Sequence, residues 1–522
     1  MAELSDRPFP PGSYPVVVVG SGPGGLQLSY CLDRLGVAHA LLSADDAPGG
    51  MFRRWPFFQR LLSWTKPFAP VPRTDPAYER YDWNSLLADE PEHRALMPDL
   101  MDGSSYFPSR PEMERNLATF AERTGIAVRY GCRWTATARE PSPTGERFVL
   151  TTTDGEYRTP VLVLAVGIAE PYTPQTPGIE LAAHYAQTRP AETYADKRVF
   201  IIGKQNSGFE LASGLLPWAR RIVVASPSPA KLSVNTRSLV GIRARYVQPF
   251  EDHVLGGGVT VLDASIEEIA RVAGGGLEAR VRTTEGGEAL AFEVDEVIAA
   301  TGFMTPLVDL PELGLATVRQ SRVPAQTPYW ESSSVPGIYF AGTISQGAAG
   351  LRKHGLPANS GAVQGSRYNA RVLARHLARR VGRVDGASGG TAAAPGPIPD
   401  SATAIDPARL VDVLAAAFRD TPELWHQQAY LARVVTLHPD EGPRDAGIVP
   451  LAAFVDGTGD DGAGDALALT IEADGSGAIY PVAYGRRGGR LEEHTFEPDV
   501  LLRYETAAVR NRLERIVRGM GG

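Results

Sequence analysis

Two cysteines, Cys31 and Cys132, in 522 residues leave no disulfide scaffold and no CxxC redox centre, and no Fe–S or haem-type cysteine spacing occurs. No apolar run approaches the ~18 residues that span a bilayer. Met1 to Tyr14 carries Glu3, Asp6, prolines and a glycine where an export signal would carry an apolar core, so the sequence reads as cytoplasmic with no membrane partner. Lysine is scarce, with five among 52 basic residues, and 60 acidic residues bring the formal net charge to −8. That balance excludes a nucleic-acid coat or a polybasic anchor. No repeat points to a solenoid. What is there, 43% hydrophobic and 21% charged residues, is the composition of a folded globular chain, long enough for roughly three domains.

Val16 to Val19 is a β-branched run ending in glycines, the pattern of a buried parallel strand entering a tight turn, and Leu26 to Leu35 follows with helical spacing. Gly20-Ser-Gly22-Pro23-Gly24-Gly25 between them matches GxGxxG in the context that gives that motif meaning. Gly20 permits the turn, Gly22 lets the backbone approach a pyrophosphate, and Gly25 lets helix and strand pack closely, with the helix N-terminus facing the phosphates. The position early in the chain favours FAD. The ribose-binding acid expected at the end of the next strand falls near Ser43, an uncharged hydroxyl, with Asp45 and Asp46 as alternatives.

The same grammar recurs where Val199 to Ile202 runs into Gly203-Lys-Gln205-Asn206-Ser207-Gly208. Gln205 replaces the middle glycine, so this motif stands on its position as the second of two nucleotide turns. Lys231 and Arg237 follow the strand Ile222 to Ala225, where a cation can meet a 2′-phosphate, which favours NADPH over NADH. A solvated surface role is the alternative for Lys231.

Taken in order, these residues resemble the two-dinucleotide-binding-domain flavoproteins and, within them, the class B flavin monooxygenases, over about residues 14 to 380. Pro48-Gly49-Gly50-Met51-Phe52 is similar to the family's GGxW, whose aromatic lies by the flavin. Tyr106-Phe107-Pro108-Ser109 resembles its FPS segment, before the helix that leads to the adenine-side strand. Trp134 joins the cofactor residues that the resemblance implies. Leu164-Ala165-Val166-Gly167 resembles the hinge between domains, Asp295 to Phe303 with Thr301 and Gly302 the DxxxxATGY segment of N-hydroxylating members, and Gly337 to Thr343 with Gly342 the late FAD segment. Arg60 to Lys66, Asp82 to Leu87 and Arg367-Tyr368-Asn369 resemble the branch of the endoplasmic-reticulum flavoprotein associated with degradation and its bacterial, amino-acid N-oxygenase-like relatives.

The resemblance implies an α/β fold of two Rossmann-like domains, with an NADPH domain (191–299) inserted in an FAD domain (1–190 and 300–384). A Gly, Ala, Ser and Pro-rich linker at 385–403 leads to a small α/β appendage at 404–522. With no cysteine pair available, electrons pass to oxygen or to a separate acceptor. Oxygen chemistry through a flavin C4a-hydroperoxide needs a dry, hydrogen-bonded site, and Asn84 matches the family's active-site asparagine; capping a helix from Ser85 is its other reading. Lys66 either neutralises a reduced flavin or pyrophosphate, or lies on the surface. His184 reads as a positioning residue, and Arg352, Lys353 and His354 as a basic cluster for a carboxylate or phosphate, or a solvated loop. The expected reaction is N-hydroxylation of an amine or amino acid by oxygen in bacterial secondary metabolism. Baeyer–Villiger oxidation, S-oxygenation and electron supply to a partner protein are the alternatives.

Overall fold

The computed structural model describes residues 7–55, 60–142, 145–233, 242–247, 258–307, 313–319, 322–348, 350–351, 353, 358–381, 403–457 and 465–520. The linker expected at 385–403 lies outside these, save for residue 403. The chain forms two compact units. Met1–Arg53, Ser63–Ile168 and Thr305–Gly522 make the first, and Arg54–Leu62 with Ala169–Met304 the second.

In the first unit β1 (Val16–Val19), whose four valines are all buried, is followed by α1 (Pro23–Arg34) and β2 (His39–Leu42). Pro23 sits where its missing N–H costs nothing, and no β-branched residue interrupts α1. Helix α2 (Arg110–Thr124) starts at a capping box, in which Ser109 Oγ accepts from the Glu112 amide while Glu112 receives the Ser109 amide, and it ends at Gly125 in the left-handed conformation. Strands β3 (Trp134–Ser142), β4 (Gly145–Thr152) and β5 (Gly155–Thr159) form an antiparallel meander, and the buried β6 (Val161–Leu164) returns to the first sheet.

The second unit contains β7 (Ala183–His184), β8 (Arg198–Ile202), α3 (Asn206–Leu215), β9 (Arg221–Ser226), β10 (Val259–Arg271), β11 (Leu277–Thr283), β12 (Ala289–Val294) and β13 (Glu296–Ala299) in one sheet of order β12-β11-β10-β9-β8-β13-β7. Its β7, β13, β8, β9 and the first part of β10 are parallel. Beyond them β10 continues as an antiparallel ribbon with β11 and β12, with a register shift between Ile266 and Glu268 inside it.

Back in the first unit, β14 (Ile338–Phe340) completes a parallel sheet of order β14-β6-β1-β2, and α4 (Val363–Val381) packs on α1. The α/β fold of two dinucleotide-binding sheets is therefore present. The C-terminal segment adds α5 (Leu410–Asp420), α6 (Pro422–His426), β15 (Leu431–His438), β16 (Gly442–Pro450), β17 (Asp465–Ala473), β18 (Ile479–Arg487), β19 (Arg490–Thr495) and α7 (Ala507–Met520). Its antiparallel sheet is covered on both faces: Leu467, Leu469 and Ile471 of β17 meet α5 and α7, while Ala466 and Ala468 pack with Val434, Leu451 and Phe454. From Pro498 to Val517 apolar residues recur at helical spacing, yet helix forms only over the second part of that stretch. Asp499 Oδ1 accepts from the amides of Leu501 and Arg503 and holds a turn there, so α7 starts at Ala507.

Buried polar contacts join this segment to the rest of the first unit. His426 Nε2 donates to Glu79 O (2.9 Å), Arg371 pairs with Glu423 (3.3 Å), Gln427 Nε2 donates to Ser360 Oγ (3.0 Å), and the Arg80 guanidinium lies 3.6 Å over the Trp425 ring. Burial, with Arg367 nearby, lowers the His426 pKa to about 3. An unfolded chain takes up that proton near pH 6.5, so the contribution of neutral His426 is complete above about 6.5. It is lost by up to about 1.4 kcal/mol per pH unit as pH falls from there toward 3. Denaturation midpoints measured between pH 7.5 and 4.5 should show this slope, and His426→Gln should flatten it. An unchanged slope in the variant would assign the acid sensitivity to other groups.

Candidate cofactor and active site

In the first turn the backbone itself demands three of the glycines. Gly20 has φ +111°, and a Cβ there would lie 2.5 Å from Ala165 O; one on Gly25 would lie 1.8 Å from Gly20 O, and one on Gly24 would lie 2.4 Å from Gly342 Cα. Gly167, also left-handed, faces Thr343 Oγ1. Three sequence motifs far apart in the chain, Gly20–Gly25, Ala165–Gly167 and Gly342–Thr343, thus meet at the ends of β1, β6 and β14. Gly22 is different: a Cβ on it would meet only Gly50 Cα, at 3.9 Å, while Gly50 (φ +55°) backs onto Gly22. The fold leaves this concavity open. Gly22 caps α1 with no side-chain hydrogen bond and the first turn of α1 carries no acid, which suits an anion at the helix N-terminus.

Around this cradle, Ser43 is buried beyond β2, its Oγ 2.7 Å from Ser21 Oγ and accepting from the Asp45 amide, while Asp46 pairs with Arg53. Met51 and Phe52 lie half-buried in one turn of 3-10 helix, Gly50–Arg53, and Arg110 Nη1 donates to Phe52 O and Arg53 O. Trp134 opens β3 and packs on the core that includes Val19, Leu42 and Leu164, its Nε1 donating to Thr137 Oγ1.

Asn84 is fully buried. No helix starts at Ser85, so capping is not its role. Asp82 Oδ1 instead accepts from the amides of Asn84 (3.1 Å) and Ser85 (3.1 Å) and from Thr65 Oγ1 (2.8 Å), closing a turn. The Asn84 carboxamide is held at both ends, with Oδ1 accepting from Ser63 Oγ and Nδ2 donating to Thr65 Oγ1 (3.0 Å). Asp82 and Thr65 carry no motif of their own; only their place in Ser63-Trp64-Thr65-Lys66 and Asp82-Trp83-Asn84 points to them. The Lys66 side chain is exposed and its carbonyl accepts from Tyr78 Oη.

The second turn repeats the first. A Cβ on Gly203 (φ +115°) would lie 2.4 Å from Ala300 O, and one on Gly208 would lie 2.0 Å from Gly203 O. Gln205 is exposed in an extended conformation that any residue adopts, so a non-glycine costs the backbone nothing. Asn206 Oδ1 accepts from the Arg243 amide, and Ser207 is half-buried. Lys231 is exposed; Arg237 lies outside the described residues. Beyond β13, Thr301 Oγ1 donates to Tyr172 O, and Phe303 packs between Trp55 (5.3 Å between centroids) and His184 (5.2 Å). His184 Nδ1 accepts from the Ala186 amide and Nε2 donates to Gly302 O, and burial lowers its pKa, which favours the neutral ring. Sequence reasoning passed over Glu210 on α3, buried against Tyr185 Oη (2.7 Å), whose pKa burial pushes up to about 7. Lys353 is ion-paired to Glu472 and Glu493, while Arg352 and His354 lie outside the described residues.

Residues 17–342 match the family described as pyridine nucleotide-disulphide oxidoreductase. The chain belongs to this family. It is an oxidoreductase with the two-turn architecture for FAD and NADP(H). FAD-dependent oxidoreductase domain-containing protein 2 of Mus musculus is 33% identical over 232 residues, 44% of this chain, which spans about a third (34%) of that relative's length. A ferredoxin–NADP reductase of Salinispora tropica is 26% identical over 333 residues, 63% of this chain and 86% of its own. In fold, the chain is similar to an FAD-bound cadaverine monooxygenase of desferrioxamine biosynthesis from Erwinia amylovora, with TM-score 0.53 and 16% identity over 74% of this chain and 98% of the other. Both cysteines are free and buried, and burial pushes the Cys31 thiol up to about 11, so neither has the environment of a reactive thiolate. Among the described residues no helix is long and apolar enough to cross a membrane, and no group of His, Cys, Asp or Glu could hold a metal ion.

Proposed function

We propose that this chain is an NADPH-dependent FAD monooxygenase that hydroxylates the nitrogen of a small amine or amino acid with molecular oxygen, in the cytoplasm and in bacterial secondary metabolism. The observation that carries the reading is the pairing of two dinucleotide turns of one geometry with two unpaired, buried cysteines. Electrons drawn from NADPH then have no thiol to go to. FAD, when bound, supplies the passage of an electron pair from NADPH to oxygen. The chain's part is to hold and shield. Gly22 and Gly50 leave room for the FAD pyrophosphate, α1 offers its N-terminal amides, and Ser43 serves the ribose. Met51, Phe52 and Trp134 line the flavin side, with Gly167, Gly342 and Thr343 closing the cradle and Lys66 offering a cation. Gly203, Gln205, Asn206, Ser207 and Gly208 take NADPH, Lys231 and Arg237 its 2′-phosphate, and Thr301 borders the crossing between segments. Asn84 offers a buried N–H that donates without releasing a proton. The fold likeness to a cadaverine monooxygenase and the bacterial N-oxygenase branch support nitrogen as the oxygenated atom.

Electron delivery to a partner protein is the second reading, favoured by the likeness to ferredoxin–NADP reductases. NADPH oxidation by the FAD-loaded protein, with and without a panel of diamines and amino acids, separates the two. Amine-dependent turnover with one hydroxylamine per NADPH is expected; peroxide release indifferent to every amine would favour the second reading.

A further inference from the structure

The two turns correspond residue for residue through their strands, because Val19 pairs with Leu42 in one sheet as Ile202 pairs with Ala225 in the other. Gly20 thus matches Gly203, Ser21 matches Lys204, and the strand-end position Ser43 matches Ser226. In the first turn, Ser21 reaches sideways to Ser43 at 2.7 Å. In the second, Ser226 stands in register with Asp263 of β10, one strand further out, and Lys204 forms an ion pair with that aspartate. Lys204 is buried, at 1% exposure, whereas the Asp263 side chain is 48% exposed. The ends of these strands are where such sheets read the adenosine ribose. An acid there accepts from the 2′-hydroxyl of NAD(H) and repels the 2′-phosphate of NADP(H). This sheet places a hydroxyl, Ser226, at the reading position and an acid on the next strand, separated by about one strand spacing of 4.8 Å.

We propose that Lys204 clamps Asp263 and thereby sets the nucleotide preference: with the aspartate neutralised, the strand ends present no net negative charge, and NADP(H) is accepted over NAD(H). A lysine in a turn that approaches a pyrophosphate would ordinarily be directed at the phosphates. Here its ammonium is turned toward an acid of its own sheet, a use that the turn motif alone does not require. The inference rests on the second turn being the nicotinamide-dinucleotide site, as proposed above.

Dissociation constants for NADP⁺ and NAD⁺, measured by calorimetry on the FAD-loaded protein, test it without turnover. Wild type should favour NADP⁺. Lys204→Met should weaken NADP⁺ about tenfold or more while changing NAD⁺ less than about threefold, the range expected when one unpaired charge faces a phosphate across a partly exposed site. Adding Asp263→Asn to Lys204→Met should restore most of the preference. If Lys204→Met does not fold, Lys204→Gln carries the test, with the same expected loss of NADP⁺ preference and the same rescue by Asp263→Asn. An unchanged NADP⁺/NAD⁺ ratio in Lys204→Met, or an equal loss of both nucleotides not rescued by Asp263→Asn, overturns the clamp and leaves the nucleotide site standing. Wild type that binds neither nucleotide overturns the site and the clamp together.

Discussion

Gly22→Val protein is expected to purify folded and colourless. The steric account separates the glycines of the first turn into two kinds. A side chain on Gly20, Gly24 or Gly25 would enter the backbone of Ala165, Gly342 or Gly20, so those substitutions damage the sheet and helix directly. At Gly22 a Cβ would find only Gly50 Cα, at 3.9 Å, so the polypeptide accepts it and the space it takes is the space a pyrophosphate needs. Losing two charge-assisted hydrogen bonds between backbone amides and that pyrophosphate, at about 1.5–3 kcal/mol each, weakens FAD by two to four orders of magnitude. The measurement is FAD per chain from the visible spectrum, together with a thermal melt to show that the variant is folded. A folded Gly22→Val protein still carrying one FAD per chain would mean that the cofactor lies elsewhere.

The same division explains how much of the site is legible in the sequence. Gly20 and Gly25 announce themselves because a strand of four valines and a helix without β-branched residues frame them, and local periodicity fixes both elements. The second turn is legible despite Gln205, since the structure shows that the middle position is the one glycine the backbone does not need. Gly24 against Gly342 is not legible, because that contact depends on β14 returning beside β6 after the whole second unit has intervened. Ser43 marks the strand end correctly, but its hydrogen bond to Ser21 is a contact between turns, outside any strand period. The surroundings of Asn84 are hidden for a related reason. Residues 63–66 and 82–87 have no regular secondary structure to give them a period, and the helix expected from Ser85 fails because Asp82 takes the very amides that a helix start would leave to a cap.

The C-terminal segment teaches the complementary lesson. Only part of α7 follows from helical spacing, and the buried partners that join the segment to Glu79, Ser360 and Arg371 are polar, and polar pairs leave no periodic trace. They bear on the site because Arg367, on α4 beside this junction, donates to the carbonyls of Asp82 and Ser85, the residues flanking Asn84. The described residues of the C-terminal segment thus pack beside the same α4 that steadies the Asn84 turn.

Asn84→Ala should separate reduction from oxygenation. On the reading proposed above, reduction of FAD asks only that the nicotinamide reach it. Oxygenation asks in addition for a donor that does not lose its proton, in a place closed to water. In the reading proposed above Asn84 is that donor: it is fully buried, its Oδ1 is occupied by Ser63 Oγ, and one N–H of Nδ2 is taken by Thr65 Oγ1, whose own proton is committed to Asp82. That chain of donors fixes which end of the carboxamide is nitrogen, and the proposal assigns its second N–H to the bound group. Removing a buried donor of this kind typically costs about 10²–10³ in rate. The Ser63 and Thr65 hydroxyls left behind cost stability of about 1–3 kcal/mol, so FAD content and melting temperature must be read alongside. The variant is expected to keep FAD and its anaerobic reduction rate by NADPH, to lose hydroxylamine formation by about two orders of magnitude or more, and to release the consumed oxygen as hydrogen peroxide. Unchanged coupling of NADPH to hydroxylamine in Asn84→Ala would remove Asn84 from the chemistry. A slowed anaerobic reduction would show instead that the loop serves the nicotinamide.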